Sequence, residues 1–336
     1  MSNPVLVDVT RGGALESRHR GAVAVVDASG AVRFALGDID AAVYPRSAVK
    51  ALQALPLIES GAAERFGLTD AEIALACASH SGDDVHVAAA ASMLERAGCS
   101  PAVLECGAHW PVGAAESRRL AASGRSPGPL HNNCSGKHAG FVCVACALGV
   151  DPAGYVGANH PVQREVRAAL ASMTGETLDA DACGIDGCSI PTYRVPLRGL
   201  ARGFARFGSG EGLDPGRAAA ARRIRRAVAA HPAMVAGEGR FDTIVMECLR
   251  DRVFCKVGAE GVYCAALPGA GLGVAIKIDD GAARAAEIAM GAVIRRFVNL
   301  DEDASAALAA VFEPAITNWN GRRTGDLRPG DAWGMP

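Results

Sequence analysis

Strand-like runs cluster at the two ends of this chain and are scarce in its middle, and that distribution most constrains what it can fold into. Val5-Leu6-Val7-Asp8-Val9 reads as a strand, and residues 20–26 and 31–35 as two more joined by Asp27-Ala28-Ser29-Gly30, a hairpin signal. The pattern returns only in the last third, at residues 253–261, 262–266 and 273–278, with a turn at Pro268-Gly269. Helical periodicity dominates between them, over residues 85–97, 139–148, 162–173 and 215–230, with Gly98 and Gly175 as stops. Further helices are expected over 282–298 and near 305–312, and the tail, with Asn320-Gly321-Arg322-Arg323 and residues 326–336, reads as irregular. Residues 73–78 follow a helix start at Thr69-Asp70-Ala71-Glu72 but would equally suit a buried strand. The expectation is an α+β fold: an antiparallel sheet built from N- and C-terminal strands, packed with helices and carrying a helical insert. The chain should form one unit over residues 1–336, with a sheet-containing part at about 1–45 and 250–300 and a mainly helical part at about 46–249.

Composition narrows the partners. Half of the residues are hydrophobic and 21% are charged, which suits a well-packed core and excludes a disordered chain. A net charge of −2 offers no electrostatic case for nucleic acid or an anionic membrane surface. The longest apolar run, residues 140–150, is too short to span a bilayer. No basic segment followed by an apolar one opens the chain, so a cytoplasmic location with reduced thiols is expected for its 11 cysteines.

Lysine is scarce: of 34 basic residues only Lys50, Lys137, Lys256 and Lys277 are lysines. Arginine therefore serves for surface charge, and arginine cannot lose its proton, whereas a desolvated lysine can. The stretch Tyr44-Pro45-Arg46-Ser47-Ala48-Val49-Lys50 places a serine three residues before a lysine, just after a proline suited to a first helical turn. On a helix these two side chains share a face, and a neutral lysine can take the serine proton to make a nucleophile. The alternative is a capping serine beside an exposed lysine.

Three further loops concentrate polar groups. Ala78-Ser79-His80-Ser81-Gly82-Asp83-Asp84 holds a second candidate hydroxyl, Ser79, equally suited to a turn. His80 and His86 have no standard metal-site spacing around them and read as structural or surface residues. His131-Asn132-Asn133-Cys134-Ser135-Gly136-Lys137-His138 superficially resembles the end of a phosphate-binding loop, but the required first glycine is replaced by His131. Cys134 and Lys137 again stand at i, i+3. Ala182-Cys183-Gly184-Ile185-Asp186-Gly187-Cys188-Ser189 is a glycine-rich loop with two cysteines. Cys77, Cys99, Cys143, Cys146, Cys248 and Cys264 read as buried small hydrophobes. Cys134 and Cys188 stand in polar loops, where a thiol pair could ligate zinc, form a redox couple or do nothing.

The order Ser-x-x-Lys at Ser47/Lys50, a serine at Ser79, then Lys256-Val257-Gly258 resembles the penicillin-recognising serine enzymes and the Ser-Lys glutaminases. With Asn132-Asn133-Cys134-Ser135-Gly136-Lys137-His138, Asp186-Gly187-Cys188 and Lys256-Val257-Gly258-Ala259-Glu260-Gly261, the chain is more similar to the zinc-containing L-asparaginases of the asparaginase II type. The second motif reads Ser-His-Ser where penicillin-recognising enzymes usually carry Ser-x-Asn, which argues against β-lactam chemistry. The resemblance implies hydrolysis of L-asparagine to aspartate and ammonia in a homodimer, with Ser47 as nucleophile and Lys50 as its base. It implies Ser79 and Lys256 as a second Ser-Lys pair, and Cys134, Lys137 and Cys188 as zinc ligands with water as the fourth. Arg46, His80 and Asp186 are the candidates for gripping the substrate. Competing readings are another Ser-Lys hydrolase acting on glutamine, esters or β-lactams, and a zinc- or redox-sensing binding protein built on Cys134 and Cys188.

Overall fold

The computed structural model describes residues 2–334 and divides into two units. The first comprises the described residues of Met1–Ala48, Val195–Ser209 and Ile244–Pro336; the second comprises Val49–Arg194 and Gly210–Thr243.

The first unit is built on an antiparallel sheet of both chain ends. Its strands run in the order Ala315–Thr317, Arg323–Pro329, Val5–Arg11, Ala14–Asp27, Leu272–Ile278, Val262–Leu267 and Phe254–Val257, with Val32–Leu36 paired to Ala14–Asp27. The central strands are buried almost throughout, which requires cover on both faces, and helices Leu197–Ser209 and Ala283–Phe297 pack against them. This explains why their sequences are continuous apolar runs rather than alternating ones. Gly273 marks the closest approach: a Cβ there would stand 2.0 Å from the carbonyl oxygen of Ala201, so only glycine lets helix Leu197–Ser209 lie on its strand. That helix then buries Phe204 and Phe207 against Phe254, with ring centroids 5.9 and 5.2 Å apart. Burial of each such ring contributes about 1.5–3 kcal/mol.

The α+β expectation holds, with local corrections. The tail expected to be irregular forms strand Arg323–Pro329, pairing Val7 with Pro329 and Val9 with Leu327. Its polar residues give little strand signal, because Gly325 and Leu327 alone face inward and the pairing partner lies at the other end of the chain. Met335 and Pro336, the last of that tail, lie outside the described residues. Helix Leu197–Ser209, absent from the sequence expectation, is the sheet's cover, with Arg198, Arg202 and Arg206 four residues apart on its less buried side.

The second unit is helical, with strand pairing limited to the small hairpin Cys183–Ile185 and Pro191–Tyr193. Residues 73–75 close helix Asp70–Leu75, which Thr69 and Glu72 start with a reciprocal capping box, and the chain leaves it by a turn at 76–77. Helix Ser135–Leu148 is apolar and buried through Ala145 and occupies the centre of the unit, with helices Asp84–Arg96 and Pro161–Thr174 packed on it. It begins four residues earlier than its apolar run indicated, so Lys137 and His138 are helical residues. No helix among the described residues is long and apolar enough to cross a membrane.

Candidate active site

The two units each carry part of the candidate set. In the first, Arg46 and Ser47 stand in a single 3-10 turn, Arg46–Val49. Helices Lys50–Gln53 and Leu55–Glu59 follow as separate short pieces. Arg46 adopts a left-handed backbone with φ of 50°, a conformation that costs a non-glycine residue about 1–2 kcal/mol. Strain immediately before a candidate nucleophile fixes the direction in which the next side chain leaves the backbone. Lys256, fully buried on strand Phe254–Val257, donates from Nζ to the carbonyl oxygen of Val257 at 2.8 Å. A Cβ on Gly258 would lie 2.8 Å from the Pro45 carbonyl oxygen and 3.1 Å from Ala48 Cβ. The Lys-x-Gly strand end is thus seated directly on the segment that carries Ser47, and glycine is what permits the contact.

In the second unit Lys50, Ser79, His80, Cys134, Lys137 and Cys188 are all buried. Lys50 Nζ donates to the Ala78 carbonyl oxygen at 2.5 Å, to Ser79 Oγ at 2.9 Å and to Cys134 Sγ at 3.1 Å. Lys137 Nζ donates to Cys188 Sγ at 3.0 Å. The polar loops seen in the sequence therefore converge on two lysine amines and two sulfurs.

Local geometry delivers each group. Asn132, itself buried, accepts from the Cys134 N–H through Oδ1 at 2.9 Å and donates from Nδ2 to the Cys106 carbonyl oxygen at 2.8 Å. That clamp holds Cys134 just ahead of helix Ser135–Leu148. Cys188 is presented by a tight turn in which Ser189 is left-handed, with φ of 75°, and its N–H donates to the Asp186 carbonyl oxygen at 2.8 Å. Asp186, half-buried, accepts from the Cys188 N–H through Oδ1 at 3.3 Å. The aspartate so orders the thiol loop.

Electrostatics separates the two sulfurs. A hydrogen bond from the Cys188 thiol, together with the charges of Lys50 and Lys137, holds Cys134 well below the ordinary thiol range despite burial. The same hydrogen bond to Cys134, reinforced by burial, pushes Cys188 up. Of the two sulfurs, Cys134 is therefore the one that gives up its proton more readily. Burial pulls Lys137 down, but Cys188 and Cys134 outweigh it and raise its amine above the usual lysine value.

His80 is fully buried, with Nε2 2.9 Å from Ser135 Oγ and its ring stacked on His86 at 5.0 Å. Burial, with the nearby His86 and Lys50, drives it well below the usual histidine range, so it is neutral. His86 is buried as well and packs inside the unit. Cys99, Cys146 and Cys248, expected to be buried, are each partly open to solvent. Sequence reasoning missed Ser135, the Asn132 clamp and Tyr155, whose hydroxyl is 2.7 Å from His138 Nδ1 and accepts from the Glu105 N–H at 2.9 Å. Asn132 and Ser135 lie inside the polar motif already singled out, whereas no local signal marks Tyr155.

Among the described residues no three His, Cys, Asp or Glu side chains group as a metal site. Cys134 and Cys188 offer sulfur donors of the kind zinc takes, and Lys137 brings an amine nitrogen to 3.0 Å from Cys188 Sγ.

A lysine amine held against a serine hydroxyl is equipment for acyl transfer to water, the chemistry of a serine hydrolase. The family model described as L-asparaginase II matches residues 7–329, and the chain belongs to that family. No curated protein matches the sequence. Among solved structures, the chain is similar to a β-lactamase from Mycobacterium bovis, at 13% identity, 83% coverage of this chain, 95% of that one and a TM-score of 0.39. It is also similar to simvastatin synthase from Aspergillus terreus, at 14% identity, 77% and 86% coverage and a TM-score of 0.37.

Proposed function

We propose that the protein is an L-asparaginase that hydrolyses L-asparagine to L-aspartate and ammonia through a serine acyl-enzyme. The observation that carries the reading is the L-asparaginase II family match over residues 7–329, in a chain whose Ser47 segment follows a left-handed Arg46 and lies against Gly258 of the Lys256-Val257-Gly258 strand end.

Ser47 Oγ attacks the side-chain amide carbonyl and Lys50 takes its proton. The tetrahedral intermediate is stabilised by backbone N–H groups, that of Ser47 among them. Collapse breaks the C–N bond, the nitrogen receives a proton from the lysine side and ammonia leaves. Water then attacks the aspartyl ester, and the serine oxygen departs with a proton. Ser79 and Lys256 serve as the second Ser-Lys pair, assisting proton transfer. Arg46, His80 and Asp186 hold and order the substrate; His80, neutral and bonded to Ser135, acts as a fixed dipole rather than a charge.

Cys134, Lys137 and Cys188 would hold a zinc ion, with water as the fourth ligand. When bound, zinc supplies positive charge and order to the two thiol loops rather than the nucleophile, since serine already fills that role. The reading includes a homodimer and a cytoplasmic location, the latter supported by 11 free cysteines.

A specific observation favours a second assignment, in which Ser79 is the nucleophile: its hydroxyl accepts from Lys50 Nζ at 2.9 Å. Ammonia release from L-asparagine by wild type, Ser47→Ala and Ser79→Ala, each with zinc, separates the two. The primary reading expects Ser47→Ala to lose at least about 1,000-fold in rate and to form no aspartyl adduct by mass spectrometry. An adduct on Ser79 moves the nucleophile there, and turnover of glutamine, esters or β-lactams in place of asparagine replaces the substrate.

A further inference from the structure

The second unit holds a second pair of sulfurs, outside the set of residues described above. Cys99 Sγ and Cys146 Sγ are 3.8 Å apart although the residues are 47 positions apart in sequence. Cys99 follows the end of helix Asp84–Arg96, where Gly98 turns the chain through a positive φ and the Cys99 N–H donates to the Leu94 carbonyl oxygen at 2.9 Å. Cys146 stands in the last turn of helix Ser135–Leu148, with Arg65 Nη1 donating to the carbonyl oxygens of Cys146 and Ala147 at 3.2 and 3.1 Å. Both cysteines are partly open to solvent.

We propose that Cys99 and Cys146 form an oxidative staple: a disulfide, made on exposure to a hydroperoxide, that ties the C-terminal ends of helices Asp84–Arg96 and Ser135–Leu148. A disulfide needs the sulfurs at about 2.05 Å, and the gap from 3.8 Å closes by side-chain rotation on the Cys99 side, where the chain has already left its helix. The chemistry balances in two steps. The Cys99 sulfur attacks one peroxide oxygen, the O–O bond breaks, and a sulfenic acid and one water (or alcohol) result. The Cys146 sulfur then attacks the Cys99 sulfur, the S–O bond breaks, and the departing hydroxide leaves with the Cys146 proton as water. Two thiols are oxidised by two electrons and the peroxide is reduced.

The nearest competing sulfur is poorly placed. Cys143 is fully buried, donates to the Met93 carbonyl oxygen at 3.6 Å, and is pushed up to about 12 by burial, so it remains a thiol. Cys146 is pushed up to about 11 by burial and by Cys99, which suits the resolving role better than the first attack. The link would join the two helices whose opposite ends carry His86 and Lys137, closing a long loop of chain.

The test uses the full-length, zinc-loaded protein, first reduced and then treated with hydrogen peroxide. Peptide mapping without reductant should recover a Cys99–Cys146 cross-link. The melting temperature should rise by about 5 °C and return on reduction. Cys99→Ser and Cys146→Ser should each lack both the cross-link and the rise. Oxidation that links only Cys134 to Cys188, or converts Cys99 and Cys146 separately to sulfinic acids, overturns the proposal. So does a Cys99–Cys146 link that lowers the melting temperature.

Discussion

Lys50 touches two kinds of chemistry with one amine: its Nζ lies 2.9 Å from Ser79 Oγ and 3.1 Å from Cys134 Sγ. The Ser79 hydroxyl and the Cys134 sulfur therefore share one amine. Cys134 is held down in part by the Lys50 charge, and anything that alters that sulfur alters the surroundings of the lysine.

Removal of this amine should be felt at both ends. Lys50→Met is expected to lower asparagine turnover by at least about 100-fold, the usual contribution of a positioned general base. It should also raise the titration midpoint of Cys134, because a stabilising cation is gone. Ultraviolet absorbance of the thiolate, followed against pH in wild type and variant, measures the second effect. An unchanged midpoint would show that Lys50 and Cys134 are not coupled.

Zinc affinity should rise steeply with pH. In the arrangement described, Lys137 holds its proton above the ordinary lysine value and Cys188 holds its own above the thiol range. Both must leave for nitrogen and sulfur to bind the metal, so the logarithm of the association constant should climb with a slope of about two per pH unit at neutral pH. Competition with a chromophoric chelator between pH 6 and 8 gives the slope. A flat profile would remove Lys137 and Cys188 as ligands.

Acid should destabilise the fold through its buried imidazoles. His80 and His138 both lie well below the usual histidine value, chiefly because burial penalises their charged forms. Above the unfolded pKa of about 6.5 both states are neutral and the stability is complete. As pH falls below that value the unfolded chain takes up protons that the folded one refuses, so stability drops by about 1.4 kcal/mol per pH unit for each histidine. Urea denaturation at pH 7 and pH 5 should show the loss, and His138→Gln should lessen its pH dependence.

Gly258 should matter to rate more than to metal. An alanine there puts a Cβ 2.8 Å from the Pro45 carbonyl oxygen and forces the Ser47 segment or the strand end to shift. Gly258→Ala is expected to reduce turnover by about 10- to 100-fold while zinc affinity stays within about twofold, since a displacement near 1 Å suffices for such a loss. Equal losses in rate and zinc binding would point instead to general disruption.

Gly273→Ala should be a stability variant. Its Cβ would meet the Ala201 carbonyl oxygen and the Ala205 nitrogen at 2.0 and 2.2 Å, both backbone atoms of a helix that cannot yield locally. A destabilisation of about 3 kcal/mol or failure to fold is expected, read by chemical denaturation.

Much of this was legible in residue order. Apolar runs at the two ends announced a sheet made from both termini, because strands buried on both faces must be continuously apolar. The scarcity of lysine marked Lys50, Lys137 and Lys256, since each is buried in a chain that uses arginine at its surface. What residue order could not show is which lysine meets which partner. The i, i+3 spacing pairs Ser47 with Lys50 and Cys134 with Lys137, yet Lys50 donates to Ser79 and Cys134, and Lys137 to Cys188. These partners are 29, 84 and 51 positions away. Strand Arg323–Pro329, Tyr155 and the Cys99–Cys146 contact were hidden for the same reason. Periodicity and capping are local and can be read along the chain, whereas a pairing between distant segments exists only once the core has packed and desolvated them together.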